Sequence, residues 1–297
     1  MAFHAPDHKE IMRAIGSTSG LSVTMQRTLT PNDDFDPIPV PHPGDWLSVQ
    51  HEPGQGFDDY VNSRPRLPDN RRRVIYLTPL GEFPPEAGPP LGLLRECAEA
   101  YFMMEVRVTK PVKAEHPGLT TRTNPVTGNF QILTSDVLSF LKRRFPADAF
   151  CVLGITMEDL YPGEDWNFVF GQASLDAGVG VFSFARYDPA FFGHARSEDF
   201  SRLICARSCK VLVHETSHMF SLHHCIYFHC LMNGSNHLAE SDARPMHLCP
   251  VCLRKLQYAA GFDVVQHYQK LFYFFRNSGF DREANWVSRR LDHILGS

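Results

Sequence analysis

The chain predicts an α/β fold of the α+β kind, a mixed sheet packed with helices. Three observations predict it. Short runs rich in β-branched and aromatic residues, "VIYL" at 74–77 and "AFCVLGIT" at 149–156, read as buried strands. Segments with apolar residues at helical spacing, such as "LGLLRECAEAYFM", alternate with them. The order that results is β-α-β-α-β-β-β followed by a long helix, a layered sheet-and-helix arrangement. With 297 residues the chain is long enough to bury a core.

The elements follow in order. A short helix is expected at about residues 7–16. Thirteen of the 22 prolines then fall between Pro31 and Pro90. Proline fixes φ and removes a donor, so "PNDDFDPIPVPHPGDW" is expected to be extended or irregular. Residues 1–70 are therefore expected as a proline-rich extension wrapped on the surface, and 71–297 as the folded domain. A strand at Val74–Leu77 is expected to end at Pro79, which cannot donate to a ladder. A helix carries Leu93, Leu94, Cys97, Ala98 and Tyr101 on one side, and "MEVRV" alternates as a second strand. Residues 113–129 read as a loop. The next helix is expected to start at a Ser135 cap and to carry Val137, Leu138 and Leu141. The strand at 149–156 follows, and then "NFVFGQASL" and "GVGVFSFARY", two strands joined by a turn with Asp176 and Gly178. The long helix is expected to begin after Ser197, with Phe200, Leu203, Ile204, Val211 and Leu212 as its core face, and to run into His214. Beyond Cys252 the chain reads as helical, with a first stop at Gly261. No internal repeat is present.

Composition narrows the function. The net charge of −4 gives no basic footprint for nucleic acid. No apolar run approaches the roughly 18 residues of a membrane span. The stretch "MAFHAPDHKEIMRAIGS" has no apolar h-region, so no signal peptide is expected. The eight cysteines accordingly read as reduced residues in the cytoplasm or nucleus rather than a disulfide framework. Cys97, Cys151, Cys205 and Cys209 are expected as small buried hydrophobes. A monomer is expected.

One stretch carries the chemistry, "HETSHMFSLHHCIYFHCLMN" at 214–233. His214 and His218 stand at i and i+4, so on a helix both imidazoles lie on one face and can meet one metal. Glu215, one step round, can reach a water on that metal without ligating it. This is the HExxH arrangement of zinc hydrolases. His224 offers a third ligand if the helix stops near Ser221 and the chain turns back; His223 is its neighbouring alternative. Three imidazoles leave a position open for a water, whose pKa zinc lowers toward ~7, with Glu215 as general base. Cys225, Cys230, Cys249 and Cys252 form two closely spaced pairs, the donor set of a closed structural zinc site. His229, His237 and His247 are expected at the surface or near a metal without binding it.

The pattern His214-Glu215-x-x-His218-x5-His224-Cys225-x4-Cys230-x-Met232-x16-Cys249-x-x-Cys252 resembles the archaemetzincin signature. The resemblance implies a metzincin-like mixed twisted sheet with packed helices and an active-site helix. It further implies a C-terminal helical subdomain with a four-cysteine zinc site. The upper subdomain would span about 71–221 and the lower about 222–297. It implies a zinc metallopeptidase acting on a peptide or protein substrate. Two Zn2+ per chain are implied: a catalytic ion on His214, His218 and His224 with Glu215 as base, and a structural ion on Cys225, Cys230, Cys249 and Cys252. Met232 would be the Met-turn residue, an apolar floor under the catalytic ion. Phe168–Ser174 would be an edge strand that pairs with substrate. Ser221 stands where the metzincin pattern has glycine, and a left-handed turn there costs a serine about 1–2 kcal/mol. The other reading of the same residues is a zinc-stabilised peptide-binding module with a vestigial catalytic site.

Overall fold

The computed structural model describes residues 3–296. Asp7 opens helix α1 (His8–Ile15) with a reciprocal cap. Its carboxylate accepts from the Glu10 N–H, and Glu10 accepts from the Asp7 N–H, each at 2.8 Å. Gly16 ends the helix at φ 76°. Residues 31–45 hold no helix, and three short helices lie before and after them, α2 (Val23–Leu29), α3 (Trp46–Val49) and α4 (Phe57–Asn62).

The sheet region follows: β1 (Val74–Leu80), α5 (Leu91–Phe102), β2 (Val106–Val108), β3 (Thr121–Thr123), β4 (Phe130–Leu133), α6 (Thr134–Arg143), β5 (Ala149–Thr156), β6 (Asp159–Tyr161), β7 (Gly171–Ser174), β8 (Val179–Ser183) and α7 (Phe200–Met219). Helices α8 (Leu238–Ala243), α9 (Pro250–Ala260), α10 (Val264–Asn277) and α11 (Asp281–Leu295) complete the chain. Two compact units result. One comprises residues 1–67, 100–103 and 220–297, the other 68–99 and 104–219. Residues 1–67 share a unit with the C-terminal helices.

In the sheet unit five strands run in the order β2-β1-β5-β8-β7. All neighbours are parallel except β7 and β8, which pair Gly171 with Phe182 through Ser174 with Val179. β5 is buried along its whole length, as its unbroken apolar run requires of a central parallel strand. Helix α6 lies against β5 and β8 and contributes Val137, Phe140 and Leu141 to a core with Val152, Val179 and Val181.

The structure departs from expectation at several points. β1 continues through Pro79 to Leu80. The Pro79 carbonyl accepts from Val112 at 2.9 Å, so its missing N–H faces the side where β2 has already ended, and no bond to β5 is lost. Ser135 lies inside α6, whose N-cap is Leu133. Asp136 in its first turn accepts from the Thr120 N–H of the preceding loop at 2.9 Å. A second, three-stranded sheet, β3-β4-β6, went unread because its strands are three or four residues long. "NFVFGQASL" is a strand only from Gly171; Val169 makes a single bridge to Leu160.

In the other unit, buried guanidinium groups of the C-terminal helices hold the N-terminal segment. Arg254 of α9 donates to the Ile15 carbonyl and, at 2.7 Å, to the Ser17 carbonyl. Arg290 of α11 is fully buried and donates to the Thr28 carbonyl at 3.1 Å, Asn32 at 2.7 Å and Asp34 at 3.2 Å. A buried charge is tolerated only when it is hydrogen-bonded, so the carbonyls of Ile15, Ser17 and Thr28 and the side chains of Asn32 and Asp34 are structural partners of these arginines.

Candidate metal centres

Helix α7 carries the first histidine pair. It ends at Met219, and His214 and His218 lie one turn apart with their Nε2 atoms 3.1 Å from each other. Two ligands at 2.0–2.1 Å on a tetrahedral zinc stand about 3.3 Å apart, so the pair has the separation that ion demands. His214 is buried and His218 half-buried, and Glu215 between them is half-buried. The helix is locked beside the pair by the Ser217 hydroxyl, which donates to the Val213 carbonyl at 2.7 Å.

The residues after α7 are built around Ser221, whose φ is 65°. This is one of three non-glycine residues with left-handed φ among those described. The Ser221 hydroxyl accepts from the Arg66 N–H at 3.0 Å, and its carbonyl accepts from Gln55 Nε2 at 3.2 Å. The Tyr60 hydroxyl donates to the Phe220 carbonyl at 2.8 Å. A serine can thus occupy the turn: its side chain gains a bond that glycine could not make, against a strain of about 1–2 kcal/mol. His223 donates its N–H to Gln55 Oε1 at 3.1 Å and leaves its side chain exposed, whereas His224 is half-buried.

His224 has a partner of its own. Its Nδ1 lies 2.8 Å from Glu52 Oε1, and the Trp46 indole N–H donates to the same carboxylate oxygen at 2.8 Å. The Trp46 ring stands edge-on to the imidazole at 5.0 Å. Burial pushes the Glu52 carboxyl up, but the hydrogen bonds from His224 and Trp46 outweigh it and hold the group below the usual carboxylate range.

The four cysteines converge in the same unit. All are buried, and their sulfurs lie within 4.8 Å of one another. Cys225 Sγ and Cys249 Sγ are 3.6 Å apart, against about 3.8 Å for thiolates on a tetrahedral zinc with Zn–S of 2.3 Å. Burial pushes the Cys230 and Cys249 thiols well up. At Cys225 burial acts in the same sense, but hydrogen bonds from the other three cysteines outweigh it and draw the thiol well down. Without a cation this dry cluster supports few thiolates. A cation allows four, which is how the donor set fits zinc. Cys249 caps α9 with Pro250 in its first turn, and the amides of Cys249 and Met232 donate to Cys230 Sγ at 3.3 and 3.5 Å. Met232 is fully buried, and its carbonyl accepts from the Cys225 N–H at 2.8 Å.

Sequence reasoning missed the residues that hold these loops. Asn233 donates to the carbonyls of Cys225 at 2.8 Å and Phe228 at 2.9 Å and accepts from the Cys230 N–H at 2.7 Å. Glu52, Gln55 and Trp46 lie in the segment read as an extension. The available signal was a tryptophan, a glutamate and a glutamine, "WLSVQHEPGQG", in a stretch otherwise set by proline. His247 is half-buried rather than at the surface, stacked on Trp286 at 3.8 Å. Asp45, His237 and Glu240 also converge, but His237 already bonds Asp45 at 2.9 Å and Glu240 accepts from the Trp46 N–H at 2.9 Å. The other four cysteines, Cys97, Cys151, Cys205 and Cys209, are all buried.

The family model of Peptidase family M54 matches residues 102–258, the stretch that contains every candidate ligand. Archaemetzincin-2 of Rattus norvegicus is 42% identical over 267 residues, covering 81% of this chain and 74% of that protein. The chain belongs to the archaemetzincin family. As an archaemetzincin it is a zinc metallopeptidase, a hydrolase. Archaemetzincin-1 of Homo sapiens is 35% identical over 255 residues, covering 77% of this chain and 51% of that protein. The crystal structure of archaemetzincin from Methanopyrus kandleri is 30% identical, covers 66% of this chain and 99% of its own, and superposes with a TM-score of 0.48. A peptidase of this family acts on a peptide or protein, and among the described residues no helix is long and apolar enough to cross a membrane.

The Gln55 side chain serves three partners at once: the Ser221 carbonyl, the His223 N–H and, at 3.1 Å, the buried Lys255 ammonium. Gln55→Ala is expected to destabilise the chain by about 2–3 kcal/mol, because a buried ammonium loses an acceptor. Urea unfolding of the two proteins measures it. Gln55→Glu should recover part of the loss, since a carboxylate keeps the bonds to Lys255 and His223 and gives up only the one to Ser221.

Proposed function

We propose that this archaemetzincin cleaves peptide bonds with one zinc held by His214, His218 and His224 and Glu215 as general base. The observation that carries the reading is the 3.1 Å approach of the His214 and His218 Nε2 atoms on α7, with Glu215 next to His214 in the chain. The left-handed Ser221 turns the chain just after α7 ends, before His224 is reached, and this supports His224 as the third donor. Bound zinc would supply a Lewis acid that polarises the scissile carbonyl and acidifies a water. Glu215 would take the proton of the attacking water and pass it to the leaving amine. Cys225, Cys230, Cys249 and Cys252 would hold a second, structural zinc, closed to solvent by their burial, and Met232 would lie beneath the catalytic ion. Strand β7, Gly171–Ser174, ends its sheet and offers its outer edge to an extended substrate.

The binding-module reading takes its motive from Ser221, and the bonds from Arg66 and Gln55 to that residue weaken the motive. Profiling wild type and Glu215→Ala on a diverse peptide library separates the two. The peptidase reading expects cleavage by wild type and a loss of roughly 10²–10⁴-fold in the variant, with zinc content and folding kept. Peptide binding without cleavage by wild type supports the module instead.

A further inference from the structure

We infer that Glu52, from the N-terminal segment, is a positioning residue for the catalytic zinc: it fixes the tautomer and orientation of His224. This rests on the three-histidine reading above. A carboxylate can only accept, so the proton shared at the 2.8 Å contact sits on His224 Nδ1. The lone pair of a neutral His224 is then on Nε2, on the far side of the ring, where a metal ligand needs it.

Glu52 is itself held in place. The Trp46 indole N–H donates to the oxygen that faces His224, and the indole edge closes on the imidazole. Trp46 is fixed in turn by its backbone N–H, which donates to both oxygens of Glu240 at 2.9 and 3.1 Å. It also packs on Gly234, where any Cβ would collide with the indole. Glycine is required there by the close approach of the ring, not by a turn. The chain Glu240–Trp46–Glu52–His224 therefore links helix α8 to the third imidazole. All four residues lie in one compact unit. Glu52 and Trp46 lie outside the stretch matched by the family model, residues 102–258. The metal site on this reading needs a part of the chain that the signature does not contain.

The test measures metal affinity in the full-length protein. Wild type, Glu52→Ala, Glu52→Gln and His224→Ala are titrated with a zinc chelator, zinc retained per chain is counted, and thermal unfolding is followed in parallel. The closed cysteine site serves as the internal reference. Glu52→Ala is expected to release one zinc at a chelator concentration roughly 10–100-fold lower than wild type, with the second ion unmoved. Glu52→Gln keeps a neutral acceptor and should fall between the two. It also decides the matter if the alanine variant does not fold. A cobalt-substituted protein should show the same order as a shifted visible spectrum. Wild-type affinity and spectrum in both Glu52 variants, with a clear loss in His224→Ala, overturn the role of Glu52 and leave the three-histidine reading standing. Wild-type affinity in His224→Ala overturns that reading and this inference with it.

Discussion

Cys249→Ser is expected to unfold most of the helical unit at ambient temperature rather than to yield a folded protein with one zinc fewer. Cys249 sits at a junction. Its sulfur is 3.6 Å from that of Cys225, its amide donates to Cys230 Sγ, and its backbone caps α9. A closed four-cysteine zinc site contributes its binding free energy to folding, on the order of 10 kcal/mol. That is comparable to the whole net stability of a typical domain, about 5–15 kcal/mol. All four sulfurs are buried within 4.8 Å of one another, so an anionic set there needs a cation. Circular dichroism and urea unfolding check the effect. A Cys249→Ser protein with wild-type helicity and an unchanged urea midpoint would show that the cluster does not bear on folding. Chelation of wild type should reproduce the unfolding, and added zinc should reverse it.

Much of this was legible because metal chemistry is local in sequence. His214 and His218 needed only the helical period, and α7 supplies it. The paired cysteines needed only close spacing, and their sulfurs do converge. β5 was legible because a central parallel strand is apolar on both faces. What escaped depends on long-range partners. Ser221 reads as a defect until Arg66 and Gln55 are seen to bond it, 155 and 166 residues away in sequence. Glu52 meets His224 across 172 residues, and nothing in the local pattern announces that contact. Strands β3, β4 and β6 are too short to show a period, and Pro79 is harmless in β1 only because of which neighbour its missing donor faces.

Acid should destabilise the chain through a histidine remote from the cysteine cluster in sequence. His267 of α10 is buried, stacked on Phe262 at 4.5 Å, and burial pushes its pKa from 6.5 down to about 3 despite a backbone hydrogen bond to Ala100 that opposes the shift. The folded protein therefore keeps it neutral where the unfolded chain protonates it. Between about pH 6.5 and pH 3 the unfolded state binds one more proton at this site, so stability rises with pH there and is lost as pH falls. The slope approaches about 1.4 kcal/mol per pH unit. Acid acts on other groups as well, so the comparison must cancel them. His267→Phe does so, because an aromatic ring of similar size keeps the stack on Phe262 and cannot bind a proton. The stability of wild type relative to His267→Phe is expected to fall by about 1.5 kcal/mol from about pH 6.5 to about pH 5. Urea unfolding of both proteins at each pH reads it directly. A difference that stays flat across that range would mean that His267 is protonated in the folded state or reached by water, and the packing around α10 would have to be redrawn.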